Sequence, residues 1–283
     1  MKISVIIPVY NALDDLKILL ESIQQNFDFT IGEVILIDDC SSTETECFLT
    51  DYVEKKSGFK LKRNQANLGF VKTCNRGLKE ARGDILILLN SDTKIPSDFC
   101  KYILDCFNSD ENIGVASPIG SSTALYYIEM PENYTLEQMN IKLRKKHKCV
   151  YPRIPSAEGF CFCIRRDVVE QQGYLDEIYG KGYCEETDFA YKAVINGWKN
   201  VLIDNLYVYH KRNASFGVDT RKALMKQNSV ILMKRYRNFR NDYYAQTKAK
   251  NPIYAIRREL FPFKYIREFI MPKIASTIFV LRF

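Results

Sequence analysis

Three apolar runs of strand length, each ending in polar side chains, most constrain how this chain can fold. Ile85-Leu86-Ile87-Leu88-Leu89 stops abruptly at Asn90-Ser91-Asp92-Thr93. Val5-Ile6-Ile7 runs into Pro8-Val9-Tyr10-Asn11, and Val34-Ile35-Leu36-Ile37 runs into Asp38-Asp39. An apolar run without alternation reads as a strand buried on both faces. Polar groups at the carboxyl ends of such strands stand at the mouth of the sheet, where open α/β folds bind ligands. Three such ends suggest one crevice. Asp38, Asp39 and Asp92 suit a ribose, a base or a divalent metal better than they suit a core.

The intervening segments read as helices. Leu13, Leu16, Leu20 and Ile23 recur at helical steps after the first strand, 3–7. A helix over 43–56 follows the strand 33–37, and a short strand, 59–62, precedes Asn67-Leu68-Gly69-Phe70. Residues 71–81 read as a helix that Gly83 ends, and Pro96 opens another through about 107. Strand and helix in alternation predict an α/β fold with a mostly parallel, Rossmann-like sheet flanked by helices. Residues 117–156 hold four prolines, with a basic run at 141–148, and read as a long, partly mobile excursion of the functional kind. Regular structure returns with a strand near 159–166, a helix over 167–172, a helix from Glu185 to about Gly197, and strands 200–203 and 206–209 before His210. A helix over 219–236 should dock on this body, since Leu224 with Ile231 and Met225 with Leu232 recur at seven-residue steps.

Charge divides the chain in two. The net charge is +7, but residues 219–283 hold 15 Lys and Arg against 4 Asp and Glu, so the preceding body is acidic. The tail is also aromatic and reads as a surface contact. Nine cysteines without a Cys-x-x-Cys pair argue against a zinc site and for free thiols in a reducing cytoplasm. The N-terminus enters a strand at once, with no signal segment expected, and no apolar run is long enough for a spanning helix. Cys161 and Cys163 alternate with Phe160 and Phe162, which reads as packing. Gly180-Lys181-Gly182 lacks the Gly-Lys-Ser/Thr ending of a P-loop.

Two constellations stand out. Glu185, Glu186 and Asp188 open a helix, and three acids exceed what a favourable dipole contact needs, which is worth about 0.3–1 kcal/mol each. One of them facing a substrate hydroxyl would make the cluster catalytic. His210, one of only two histidines, ends the strand Tyr207-Val208-Tyr209, and imidazole with carboxylate is a reasonable ligand set for a divalent ion beside a diphosphate.

In this order the motifs resemble the family 2 glycosyltransferases, inverting enzymes of the GT-A fold, over about residues 3–236. Val5 to Asn11 resembles the first strand and its loop, Asp38-Asp39 the nucleoside-binding aspartates, and Asn67-Leu68-Gly69-Phe70 the Asn-x-Gly turn. Asn90-Ser91-Asp92 sits where the family has Asp-x-Asp, and Gly159 to Glu177 resembles the entry to the acceptor side. Glu185-Glu186-Thr187-Asp188 resembles the Glu-Asp-x-Asp helix start that carries the base, and Tyr209-His210 with Ser215-Phe216-Gly217 recurs in bacterial members. Two departures matter: Asn90 replaces the first acid of Asp-x-Asp, and Glu186 stands at the base position in place of Asp.

The resemblance implies a GT-A catalytic domain over 1–240. Its nucleotide-binding part would be about 1–116 and its acceptor-side part about 117–240, followed by a basic, aromatic, helical extension over 241–283. It implies catalytic roles for Glu186, Glu185 and Asp188, and a nucleotide-sugar site of Pro8, Tyr10, Asn11, Asp39, Asn67, Lys72, Asn90, Ser91 and Asp92. Asp92 and His210 would hold Mn²⁺ or Mg²⁺. The expected reaction moves a hexosyl or deoxyhexosyl group from a UDP- or dTDP-sugar to a glycan or lipid-linked acceptor in bacterial surface polysaccharide synthesis. The expected place is the cytoplasm, at the inner face of the membrane if 241–283 binds lipid; a helical tail that packs on the body or mediates a homodimer is the alternative, and no nucleic acid partner is expected. A nucleotide-sugar binding protein with a degenerate site is the rival reading, favoured by Asn90. A nucleotidyltransferase would need a glycine-rich basic loop after the first strand, and Pro8 to Leu13 is not one.

Overall fold

The structure is a computed structural model that describes residues 1–146, 149–211, 218–244 and 251–261. Its frame is one mixed sheet of eight strands. In chain order these are β1 (Ile3–Val9), β2 (Gly32–Asp38), β3 (Phe59–Arg63), β4 (Ile85–Leu89), β5 (Thr93–Lys94), β6 (Ile113–Gly120), β7 (Cys161–Arg165) and β8 (Lys199–His210). Their order across the sheet is β3-β2-β1-β4-β7-β6-β8-β5. The first four strands run parallel, as the alternation of elements predicts, and β7 inserts antiparallel between β4 and β6. The expected strands 200–203 and 206–209 are one strand, β8, whose register against β6 jumps from Pro118↔Ile203 to Ile119↔Tyr207.

Side chains alternate across the sheet, so each strand supplies two cores. Ile3, Val5, Ile7 and Val9 pack with α1 (Leu13–Asn26), α2 (Thr43–Lys55) and α4 (Phe99–Ser109). Ile6, Ile35, Ile37, Leu86 and Leu88 pack on the other face with α3 (Phe70–Glu80), α5 (Leu136–Lys146), α6 (Arg166–Gln172) and α7 (Glu185–Ile195). Gly77 lets α3 lie close on the sheet, since a Cβ there would meet Ile6 Cγ2 at 2.1 Å. Helix α4 starts three residues after Pro96, behind Asp98 in a left-handed conformation.

The 117–156 excursion is more built than expected. Helix α5 buries Leu136, Met139 and Leu143, and the Asn140 amide exchanges hydrogen bonds of 2.9 Å with both the N–H and the carbonyl of Tyr207. The apolar stripe has helical steps, but exposed basic residues around it mask the pattern.

Beyond β8 lie α8 (Val218–Arg235), α9 (Phe239–Tyr244) and α10 (Pro252–Leu260). Helix α8 docks as expected through Leu232 and Ile231, but Met225 is exposed. Asn251 caps α10, whose Ile253, Ile256 and Leu260 join the core beside α5. The Arg257 guanidinium donates to the Tyr127 carbonyl and stacks 4.2 Å above the Tyr127 ring. In 251–261, then, the tail's apolar side chains serve the protein's own core, whereas a membrane-binding tail would present them outward. Residues 245–250 and 262–283, with Ser215-Phe216-Gly217, lie outside the described residues. No helix among the described residues is long and apolar enough to cross a membrane.

Candidate active site

The carboxyl ends of β1, β2 and β4 converge as the sequence predicts, but their side chains divide the work. Parallel pairing sets Asp38 opposite Arg63, and the buried Asp38 carboxylate pairs with the half-buried Arg63 guanidinium and also accepts the Ser41 N–H at 2.9 Å. Asp39 is 4% exposed; its N–H extends the ladder to Val9. Its carboxylate accepts from Asn64 Nδ2 at 2.8 Å and from the N–H groups of Leu68 and Gly69 at 2.8 and 2.9 Å. Asp39 therefore builds the Asn67-Leu68-Gly69 turn, where Gly69 takes a φ of +84°. Asn11 likewise links loops, bonding Ser41 and Ser42 with its N–H and side-chain carbonyl. Tyr10, Asn67 and Lys72 are exposed on the rim, Lys72 4.0 Å from Glu177, and Pro8 is half-buried.

A second cluster forms where the short strand β5 pairs antiparallel with the end of β8, Thr93 opposite His210. This register brings Asp92 Oδ1 to 3.3 Å from His210 Nε2, and Asn90 Nδ2 lies 3.5 Å from the same nitrogen. His210 Nδ1 is 2.8 Å from the Ser122 carbonyl, which can only accept, so Nδ1 carries a hydrogen. In the neutral ring Nε2 then presents a lone pair toward the Asp92 carboxylate. Two acceptors at that separation are favourable only with a proton or a cation between them. An imidazole fixed through its far nitrogen and paired with a carboxylate is the donor set that metal sites use. Phe160 stacks on the His210 ring, with centroids 5.1 Å apart. Ser91 is half-buried between Asn90 and Asp92. No three His, Cys, Asp or Glu side chains gather into a complete metal site among the described residues. Such a pair suits Mg²⁺ or Mn²⁺, whose remaining positions water and substrate phosphates commonly fill.

The third cluster opens α7. Glu185 is 4% exposed and lies beneath the start of α3, close to Gly182 and Phe70. Glu186 packs against Gly159. The buried Oε2 of each has no hydrogen-bond partner. Burial pushes Glu185 well above the ordinary carboxylate range, and the Glu186 charge pushes it further. Glu186 is also raised, by burial first and then by Glu158. Both carboxyls are thus held above the ordinary carboxylate range by burial, side by side at the start of α7. Asp188 has a different setting: it accepts from Tyr179 Oη at 3.0 Å and from Arg235 Nη1 at 2.9 and 3.0 Å.

Several residues here carry no signal in the sequence. Ser122 orients His210, and Arg235 occupies Asp188 from 47 residues away. Glu158 accepts backbone N–H groups from Leu125 and Tyr126, shaping the loop after β6. The Asn75 amide joins α3 to Leu175 at 2.8 and 3.0 Å. Cys163 and Cys184 are poor nucleophiles: burial lifts Cys163 well above its usual range, and burial with the neighbouring acids lifts Cys184 to about 12.

Comparison with known proteins bears on the family and the fold. Poly-beta-1,6-N-acetyl-D-glucosamine synthase of Staphylococcus epidermidis is 23% identical over 214 residues, 74% of this chain and 48% of that one. The matched part of the chain spans less than half the length of the curated relatives it matches, from 18% to 48%. A structure of GalNAc-T7 with UDP, GalNAc and Mn²⁺ superposes with a TM-score of 0.67 at 19% identity, covering 98% of this chain and 58% of that one. Mannosyltransferase PcManGT from Pyrobaculum calidifontis, in complex with GDP-Man and Mn²⁺, superposes with a TM-score of 0.64 at 15% identity, covering 99% and 80%. These neighbours show that the mixed sheet flanked by helices is a GT-A fold. The sequence model of glycosyl transferase family 2 matches residues 4–173, more than half of the chain. The chain belongs to glycosyl transferase family 2.

Proposed function

We propose that this chain is an inverting glycosyltransferase. It moves a hexosyl or deoxyhexosyl group from a UDP- or dTDP-linked sugar to a hydroxyl of a glycan or lipid-linked acceptor, in bacterial surface polysaccharide synthesis at the cytoplasmic side of the membrane. The observation that carries this reading is the Glu185–Glu186 pair at the start of α7, with the Oε2 of each enclosed and without a hydrogen-bond partner and Glu186 set against Gly159. The acceptor oxygen bonds to the anomeric carbon as its proton passes to Glu186, and the bond from that carbon to the diphosphate oxygen breaks. One displacement without a covalent sugar intermediate inverts the anomeric centre. A general base of this kind contributes about 10²–10⁴-fold. Glu185, beside it at the helix start, orients Glu186, and Asp188 holds the helix start in place.

Pro8, Tyr10, Asn11, Asn67, Lys72 and Ser91 would line the nucleotide, with Asp39 shaping its turn. Asp92 and His210, assisted by Asn90, would hold a divalent cation, which neutralises charge on the leaving diphosphate when bound. The Mn²⁺ and nucleotides in the two structural neighbours support that assignment. The extension over 241–283 is proposed to make a membrane contact or a homodimer in addition to the packing of 251–261 on the body. Liposome flotation and sizing of the whole chain against one ending at 261, which keeps that packing, tests both.

Asn90 supports one other reading, a nucleotide-sugar binding protein with a degenerate site. Release of free nucleoside diphosphate from a panel of nucleotide sugars separates the two. A chain that binds nucleotide but releases none from any sugar in the presence of Mn²⁺ and candidate acceptors would favour the binding protein.

A further inference from the structure

The segment entering α7 is conformationally costly. Gly180, Gly182, Tyr183 and Cys184 have φ of +60°, +126°, +72° and +76°. Non-glycine residues rarely take such values, and two in succession persist only where the surroundings impose them. The imposing group is on α8. The buried Asn228 Nδ2 donates toward three carbonyls of this segment, those of Tyr179 at 3.0 Å, Gly182 at 2.8 Å and Tyr183 at 2.9 Å. Arg235 lies seven residues on, two turns along the same helix face. Its guanidinium bonds both oxygens of Asp188, and its Nη2 reaches Asp176 at 2.7 Å. Helix α8 thus grips the backbone just before the carboxyl pair and a side chain just after it.

We propose that Asn228 and Arg235 are positioning residues: they hold Glu185 and Glu186 side by side in their enclosed arrangement without touching substrate. This rests on the reading of Glu186 as the general base. With either grip lost, the 180–184 segment relaxes toward ordinary backbone conformations. The two carboxyls then separate and take up water. The groups acting on the pair from the surrounding elements are Cys74 of α3, Glu158 before β7, Cys184, and Tyr243 of α9. None of them changes in these variants, so a shift in the pair's titration reports its geometry.

The test uses the full chain with Asn228→Ala, Arg235→Lys, and Met225→Ala on the exposed face of α8 as control. Hydrogen exchange reads the amides of 180–188, ¹³C-carboxyl NMR of labelled glutamate reads the titration of the pair, and UDP with Mn²⁺ probes the nucleotide site. Asn228→Ala and Arg235→Lys should speed exchange in 180–188 at least tenfold. They should also lower the upper carboxyl step by a pH unit or more, while UDP affinity stays within twofold; Met225→Ala should change none of these. Wild-type exchange and titration in Asn228→Ala and Arg235→Lys would overturn the proposal. So would faster exchange with an unmoved titration, because the contacts would then hold the loop without setting the pair. If Asn228→Ala does not fold, Arg235→Lys decides alone, since it keeps the charge and stem but loses the fork whose Nη1 holds Asp188 while Nη2 reaches Asp176. A Glu186→Gln variant with unimpaired turnover would refute the general-base reading while leaving this coupling measurable, so the two failures are distinct.

Discussion

Replacing Asp39 by Asn tests whether its carboxylate holds the Asn67-Leu68-Gly69 turn. The Asp39 carboxylate accepts three hydrogen bonds, from Asn64 Nδ2 and from the N–H groups of Leu68 and Gly69, at a site 4% exposed. The amide keeps one acceptor oxygen and turns an NH₂ toward at least one of those donors. Hydrogen bonds to a charged group are worth about 1.5–3 kcal/mol against about 0.5–1.5 for neutral ones, and a buried donor left without a partner costs about 1–3 kcal/mol. Asp39→Asn should therefore destabilise the fold by about 2–4 kcal/mol, read as a lower urea midpoint at an unchanged slope. Nucleoside diphosphate affinity, measured where the variant is still folded, should fall with it as the Leu68–Gly69 turn loosens. A loss below about 0.5 kcal/mol, the ordinary range of surface changes, would refute the claim that Asp39 holds this turn.

Glu185→Gln should stabilise the protein at neutral pH. The folded pair has raised pKa values, so the folded state binds more protons than the unfolded chain, and stability falls as pH rises from the ordinary glutamate value of about 4.3 through the folded value. The gain from the amide should be present at pH 7.5 and shrink at pH 4.5; thermal melts giving an equal gain at both would contradict this. Asp92→Asn and His210→Ala should each weaken Mn²⁺ uptake in the presence of UDP, measured by equilibrium dialysis, and full activity in excess EDTA would exclude a metal role. Ile256→Ala should cost about 2–4 kcal/mol, the usual cost of a buried Ile truncation, because α10 is part of the core. A cost near zero would mean that 251–261 does not dock.

The parallel half of the sheet was legible because its strands are unbroken apolar runs that end abruptly. Asp38, Asp39 and Asp92 were placed correctly at the carboxyl ends for the same reason. What those acids touch was not legible. Asp38 meets Arg63 only through the register of β2 with β3, and Asp92 meets His210 only because the two-residue strand β5 pairs with the end of β8. Two residues carry no periodic signal. Helix α5 was hidden by the basic side chains around its narrow apolar stripe. Asp188 read as one of three equivalent acids, and only the fold brings Arg235 and Tyr179 to it. Local spacing reports local structure; contacts across 40 residues or more depend on how the elements pack.

The most direct test of the account is nucleoside diphosphate release from UDP- and dTDP-sugars by the whole chain and by Glu186→Gln, with nucleotide binding measured in parallel. The amide keeps the size and polarity of the side chain but cannot take the acceptor's proton. The account predicts release by the unaltered chain, and a loss of about 10²–10⁴-fold in Glu186→Gln with nucleotide affinity nearly intact. Turnover above about a tenth of the unaltered chain's in Glu186→Gln, far short of that contribution, would contradict it.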